Sequence, residues 1–316
     1  MNNIGIIANF NKPQTKEIVL ELCGYLENQE KKRVFLEEQL AKKLKIKRKG
    51  TPLQNLSNRA ELIIVLGGDG TLLYAARMGA LGSQPVLGVN LGTLGFLASV
   101  SLSELYPTLD QIWRKKYRLE SRMMLEAKII NQPKQAASSK RQEKNLTSDP
   151  TLLKFRRVNL LPLTSRKKYL ALNDIVVTKE ALSRIIELTI YTNRQFVVRY
   201  QADGLIISTP TGSTAHSLSA GGPIVEPMLN AIIITPICPH TLSNRPLIIS
   251  AQDTVVIKVQ TPNQPVYLTL DGQQGLLISP EQTILVKKAK ERVKLIIPPQ
   301  KNYYEVLRTK LHWGSR

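Results

Sequence analysis

One acid sits inside a run of glycines, Gly67-Gly68-Asp69-Gly70-Thr71. Glycines let a backbone approach phosphates with no Cβ in the way, and the unpaired N–H groups of such a turn attract anions. A carboxylate at an anion site repels phosphate unless it has work there. Accepting a proton from an attacking hydroxyl and helping to hold a magnesium ion are two such tasks. The pentapeptide lacks the Gly-Lys-Ser/Thr of a P-loop. Taken alone it also admits a plainer reading, a strand-to-helix turn in which Asp69 caps the helix.

A second dense stretch runs from Asp203 through Gly204-Leu205-Ile206-Ile207-Ser208-Thr209-Pro210-Thr211-Gly212-Ser213-Thr214-Ala215 and on to Pro223. Its hydroxyls and nearby backbone N–H groups suit a ribose or a phosphate. Clusters of Ser, Thr and Gly also serve as ordinary loops and caps. Two turns of this kind in one chain, each following an apolar run, point to a nucleotide site. Cys23 and Cys238 are far apart and have no metal-ligand spacing, so they give no basis for a disulfide or a zinc site and suit a reducing cytosol.

Such turns need rigid elements behind them. Leu62–Leu66 is a short, continuous run of branched apolar residues, the pattern of a buried parallel strand, and Leu72, Leu73, Ala75, Ala76 and Met78 resume at helical spacing. Arg77, one turn beyond the motif, is a candidate for neutralising phosphate charge but reads more readily as an exposed helix residue. Ile4–Ala8, Val34–Leu36 and Pro85–Asn90 are further strands. A helix opened by Pro13 carries Ile18, Val19, Leu22 and Leu26 on one face, and Glu37–Leu44 is a helical or irregular basic piece. Ser103 caps a helix reaching Trp113. Strands alternating with helices over 1–118 predict a doubly wound α/β domain with its glycine turns together at the carboxyl edge of a parallel sheet.

From 119 the texture becomes that of a β-rich, β-sandwich-like domain extending to 299. Its strands are expected at Glu120–Ile130, Leu170–Val177, Glu187–Tyr191, Gln195–Arg199, Gly204–Ser208, Ile232–Thr235, Leu247–Ile249, Val255–Val259, Val266–Leu270 and Val293–Ile297. Residues 132–168 read as a polar, basic loop insertion, partly mobile. The amphipathic tail, 300–316, is expected to pack back on the first domain.

The 316-residue chain is long enough for two cores, and its 42% apolar content is ordinary for a globular protein. Its net charge of +20 suits nucleic acid, an anionic membrane surface or polyanionic small substrates. Much of that charge lies in Lys42–Lys49 and in the region from Lys134 to Lys168. With aromatics at 5% and no aromatic–basic alternation, a solvated basic surface is favoured over a base-stacking platform. No apolar run approaches the roughly 20 residues of a membrane span, and the N-terminus lacks the basic region of a signal peptide.

GGDGT (67–71) resembles the nucleotide-binding turn of NAD kinases, of diacylglycerol- and sphingosine-type lipid kinases and, more distantly, of phosphofructokinases. NLGTLGF (90–96), LNDIVV (172–177), DGLIISTPTGSTA (203–215), SAGGPIV (219–225), PHTLSNRPLII (239–249) and DGQ (271–273) follow in an order and spacing similar to the NAD kinase family. That resemblance implies transfer of the ATP γ-phosphoryl group to the 2′-hydroxyl of the adenosine ribose of NAD. It also implies a divalent metal such as magnesium, a cytoplasmic location and self-association as a homodimer or homotetramer in which neighbouring subunits complete the site.

By the same resemblance Asp69 is the catalytic base. Gly67, Gly68, Gly70 and Thr71 take the ATP phosphates, while Asp69 and Gly70 touch the NAD ribose and phosphate region. Asn173 and Asp174 hold ribose hydroxyls, Asp174 standing where the family has the longer glutamate. Arg184 and Gln201 fall at positions that are often basic near the dinucleotide, and Asp203 lies at its nicotinamide end. Thr214, Ala215, His216, Ser217, Leu218 and Ser219 form the acceptor loop, with His216 in place of the usual tyrosine. Gln273 adds a late contact, and His240 is expected to be structural. A lipid kinase of this fold would need an apolar acyl pocket and would not turn over NAD. A nucleic-acid binder would bind strands with a steep salt dependence and would leave Asp69 unexplained.

Overall fold

Every residue of the strand Leu62–Gly67 is buried, as a continuous branched-apolar run requires when helices cover both faces of a sheet. The computed structural model describes residues 1–45, 50–79, 81–131, 159–160, 167–180, 184–241, 244–261, 266–280 and 282–312. Two units form: Met1–Met124 with Lys290–Arg316, and Leu125–Ala289.

The first unit alternates β1 (Asn3–Ala8), α1 (Thr15–Gly24), β2 (Arg33–Glu37), α2 (Glu38–Lys43), β3 (Gly50–Thr51), α3 (Leu56–Arg59), β4 (Leu62–Gly67), α4 (Asp69–Arg77), β5 (Pro85–Asn90), β6 (Val100–Ser101) and α5 (Leu105–Trp113). Its strands pair in parallel in the order β3-β2-β1-β4-β5, with registers such as Ile4↔Val34, Ile4↔Leu62 and Ile64↔Leu87. The order reverses between β1 and β4, so the loops that follow these two strands flank the switch point at which ligands bind in sheets of this kind. Fully buried Ile4, Ile6, Leu22, Leu36, Leu62, Ile64, Leu66 and Leu87 form its core.

The helix expected to start from Ser103 is prefaced by a short 3-10 turn, Leu102–Glu104, and the capping residue is Ser101: its N–H and hydroxyl both donate to Glu104 Oε2, at 2.9 and 2.8 Å. Arg77 is buried, at 7% exposure, against the expectation of an exposed residue; it lies on the inward face of α4 with Leu73 and Ala76.

The chain crosses between units within β7 (Arg118–Asn131) and again near the C-terminus. The second unit then contains β8 (Asn159–Leu160), β9 (Tyr169–Ala171), β10 (Asp174–Thr178), β11 (Ile186–Thr192), β12 (Gln195–Ala202), β13 (Gly204–Ser208), the one-turn helix α6 (His216–Ser219), β14 (Ala231–Ile237), β15 (Leu247–Ser250), β16 (Val255–Val259), β17 (Val266–Leu270), β18 (Gln274–Ile278) and the first part of β19 (Gln282–Ile297). One sheet runs β15-β14-β13-β10-β17-β18-β8; in another layer β12, β11, β16 and β19 pair antiparallel in that order. The end of β19 joins the first unit through Lys294↔Pro85, and α7 (Tyr303–Leu311) closes the chain there with Val306 and Leu307 buried.

The expected strand Leu170–Val177 is two strands, broken at Leu172 and Asn173, because Asn-Asp prefers a turn to a ladder. Apart from Asn159–Leu160 and Lys167–Lys168, the expected insertion at 132–168 lies outside the described residues, as do residues 46–49 and 313–316.

Candidate active site

At the carboxyl edge of the first sheet, three strand ends are held level. Asn9 N donates to Leu66 O and Leu91 N to Gly67 O, each at 2.9 Å. Gly68 is the N-cap of α4 and Asp69 its first residue, so the Asp69 side chain does not cap this helix. It reaches instead to the turn after β5: Oδ2 accepts from Phe96 N at 2.9 Å, and Oδ1 from Leu97 N and Ala98 N at 3.0 and 2.9 Å. Three charge-assisted bonds fix the plane of one carboxylate. Gly95 makes this possible, since a Cβ there would overlap Asp69 Oδ1.

Lys12, in the loop after β1, brings its ammonium to the same edge: a Cβ built on Gly92 would stand 2.5 Å from Lys12 Nζ. Asn90 Oδ1 accepts from Gly92 N at 2.7 Å and sets that turn. Sequence reasoning missed both Lys12 and the 96–98 amides. Lys12 carried a usable signal, as a cation following the first strand of a doubly wound sheet. Backbone amides carry none.

In the second unit another aspartate does the same work. Asp271 Oδ1 accepts from Asn173 N and Asp174 N at 2.8 and 3.1 Å, and Oδ2 from Leu172 N at 3.1 Å. This clasp holds open the break between β9 and β10. The 208–212 turn is stitched to it: Thr209 N and Ser208 Oγ donate to Asn173 O, and Thr209 Oγ1 to Leu172 O. Gly212 allows the approach, because a Cβ there would overlap the Asn173 carbonyl.

Most hydroxyls of the second motif serve the fold. Ser213 Oγ donates to Pro210 O at 2.7 Å, and Ser217 is fully buried, its hydroxyl 3.0 Å from that of Thr235. Ser217 therefore offers a ligand only its backbone. Beside these turns Asn173 Oδ1 and Thr211 Oγ1 are buried without a hydrogen-bond partner among the described residues, as are other buried atoms away from them, such as Thr51 Oγ1 and Gln111 Oε1. Buried polar atoms are rarely left so, and a ligand's hydroxyls would satisfy the two beside the turns.

His216, at the start of α6, lies over Asp174, with Nδ1 3.2 and 3.1 Å from its two carboxylate oxygens. The hydrogen bond to Asp174 raises the His216 pKa above its ordinary value against the opposing effect of burial, helped by the charges of Asp174 and Asp271. Gly272 and Gln273 follow Asp271 in the adjacent turn.

Thus Asn173, Asp174, Thr214–Ser219 and Gln273 form one group. Arg184, Gln201 and Asp203 form another, at the end of the β11–β12 hairpin where Ile186 faces Ala202. Asp174 pairs with Ser208 at one end of β10, whereas Thr178 pairs with Gly204 at the other, so Asp203, one residue beyond Gly204, lies about 17 Å of strand away from Asp174. Lys179, absent from the sequence-derived set, forms an ion pair with Asp203 at 2.9 Å.

A doubly wound sheet ending in an acid-bearing glycine turn, joined in one chain to a β-rich unit with unpartnered buried acceptors, marks a nucleotide-dependent phosphotransferase. Similarity to known proteins narrows the class. Residues 4–117 match the ATP-NAD kinase N-terminal domain and residues 172–297 the ATP-NAD kinase C-terminal domain. The chain is 42% identical over 315 residues to an NAD kinase of Moorella thermoacetica, covering 100% of this chain and 91% of that protein, and 39% identical over 317 residues to one of Trichlorobacter lovleyi, covering 100% of both. Its structure resembles that of yeast NADH kinase complexed with NADH, with a TM-score of 0.80 and 27% identity over 100% of this chain and 89% of that one. It also shares the fold of an NAD kinase from Archaeoglobus fulgidus in complex with ATP, with a TM-score of 0.69 and 20% identity over 98% of each chain. The chain belongs to the NAD kinase family, phosphotransferases that convert NAD to NADP with ATP.

Proposed function

We propose that Asp69 is the general base of this reaction. A secondary hydroxyl is a poor nucleophile, and the 2′-hydroxyl of the adenosine ribose must lose its proton as it attacks the γ-phosphorus. The observation that carries the reading is the clasp. Three backbone N–H groups occupy three of the roughly four acceptor positions of the carboxylate and leave Oδ2 able to receive one more donor.

Phosphoryl transfer otherwise needs positioning and charge neutralisation. The backbone of Gly67, Gly68, Gly70 and Thr71 is the candidate cradle for the ATP phosphates, with Gly70 also beside the ribose. Lys12 supplies a cation at the same edge. When bound, magnesium would offset the negative charge of the ATP phosphates. Among the described residues no three His, Cys, Asp or Glu side chains are grouped to hold a metal.

Asn173, the 214–219 loop and Gln273 are the candidate NAD contacts, whereas Asp174, expected to hold a ribose hydroxyl, is fully buried beneath His216 and can act only through that ring. Arg184, Gln201 and Asp203 are further candidates near the dinucleotide, Asp203 at its nicotinamide end, and self-association as a homodimer or homotetramer is proposed from the family resemblance. No helix among the described residues is long and apolar enough to cross a membrane. A cytoplasmic location is proposed because Cys23, buried, and Cys238, exposed, are not joined in a disulfide. Incubating the purified chain with ATP, magnesium and NAD should yield NADP, whereas sphingosine and diacylglycerol run alongside should remain unphosphorylated. Phosphorylation of either lipid without NADP would contradict the reading.

A further inference from the structure

The Asp174 carboxylate is fully buried, and the His216 ring closes over it while 56% of the His216 side chain remains exposed. The Cε1–Nε2 side of the ring faces the Gly272 turn: a Cβ built on Gly272 would lie 3.0 Å from His216 Cε1 and 3.4 Å from Nε2. The imidazole is thus held by a carboxylate at Nδ1, and the absence of a side chain on Gly272 leaves room for its Cε1–Nε2 side. A buried carboxylate without a partner is costly, so Asp174 holds the ring wherever the ring carries a proton on Nδ1.

We propose that Asp174 and His216 form one dyad, in which Asp174 fixes the ring through Nδ1–H and the protonated ring donates Nε2–H to a phosphate oxygen of the bound dinucleotide. This rests on reading 214–219 as the acceptor loop. It makes His216 a specificity-determining contact and Asp174 a positioning residue that acts through it.

The dyad predicts a direction with pH. The charged groups facing His216 are Asp174, from β10, and Asp271, from the β17–β18 turn, and both favour the imidazolium. Below the raised pKa, Nε2 is a donor and suits phosphate. As pH rises through that pKa, a ring that keeps Nδ1–H for Asp174 turns a lone pair outward at Nε2, which repels phosphate. Affinity for NAD therefore falls toward alkaline pH, and by linkage bound NAD raises the His216 pKa further.

The test is kcat and KM for NAD from pH 6 to 9 in the wild-type chain, in His216→Gln and in Asp174→Asn, with the His216 Cε1–H NMR titration followed with and without NAD. The dyad predicts that wild-type KM rises about tenfold across the raised pKa, the size of one lost charged contact at about 1.4 kcal/mol. It predicts a flat KM profile in His216→Gln, an inflection moved to lower pH in Asp174→Asn, and a His216 titration shifted upward by NAD. If Asp174→Asn does not fold, the His216→Gln profile and the titration decide. A His216→Gln profile that parallels the wild type, or a titration indifferent to NAD, overturns the dyad while leaving NAD kinase activity standing. No NADP from the wild-type chain at any pH is instead a failure of the functional reading.

Discussion

Two aspartates far apart in sequence meet the same local problem in the same way. Asp69 gathers the amides of residues 96–98 and Asp271 those of residues 172–174, so each closes a turn that would otherwise leave three backbone donors unpaired. Their tasks differ. Asp69 combines the clasp with a spare acceptor position, while Asp271 is buried and positions Asn173 and Asp174. Asp271→Asn turns an amide NH2 toward donors, and a buried group left unsatisfied costs about 1–3 kcal/mol. The variant should melt earlier and show a raised KM for NAD with kcat much less affected, measured by thermal denaturation and steady-state kinetics. Clasps of this kind are not legible in a sequence, because one partner is backbone and lies 27–29 residues from Asp69. The acid inside a glycine turn was legible, because a carboxylate there contradicts an ordinary anion site.

Among the elements, the long strands and helices of the first unit could be read, whereas the short β3, α3 and β6 could not. Leu62–Gly67 and Pro85–Asn90 announce themselves by unbroken apolar runs ended by glycine or asparagine, and α1 by its stripe of Ile18, Val19, Leu22 and Leu26. The second unit was less legible. β18 begins Gln274-Gly275 and offers little period, and the first part of β19 is diluted by Lys287, Lys288 and Lys290, which break the apolar alternation. The break at Asn173 was hidden because apolar residues continue on both sides of it. Glycines give a clean test of which turns are packed to a purpose. Gly95→Ala must push the 96–98 turn off Asp69 and should lower kcat at least tenfold. Gly24→Ala enters open space at a helical φ of −60° and should raise stability by about 0.5–1 kcal/mol without touching kinetics. Equal kinetic effects in the two variants would remove the special standing of the Asp69 clasp.

Across the entire chain, the net charge of +20 is well above what one phosphate site needs, and much of it falls in residues 134–168, which hold none of the family motifs. The short strand β8 adds a condition, since Asn159 pairs with Gln274 and Leu160 with Gly275, directly after Gln273, a candidate NAD contact. Deletion of 134–156 should leave kcat and KM within about twofold, whereas deletion extended to 166 removes β8 and should raise the KM for NAD; an equally harmless longer deletion would separate β8 from the site. Whether a carboxylate clasped by three amides takes the proton of the ribose hydroxyl is decided by Asp69→Asn, with turnover and NAD affinity measured on the same folded sample. The expected result is a loss of about 10²–10⁴ in kcat with NAD binding retained. NADP formation at close to the wild-type rate by that variant would refute the role of Asp69 as base.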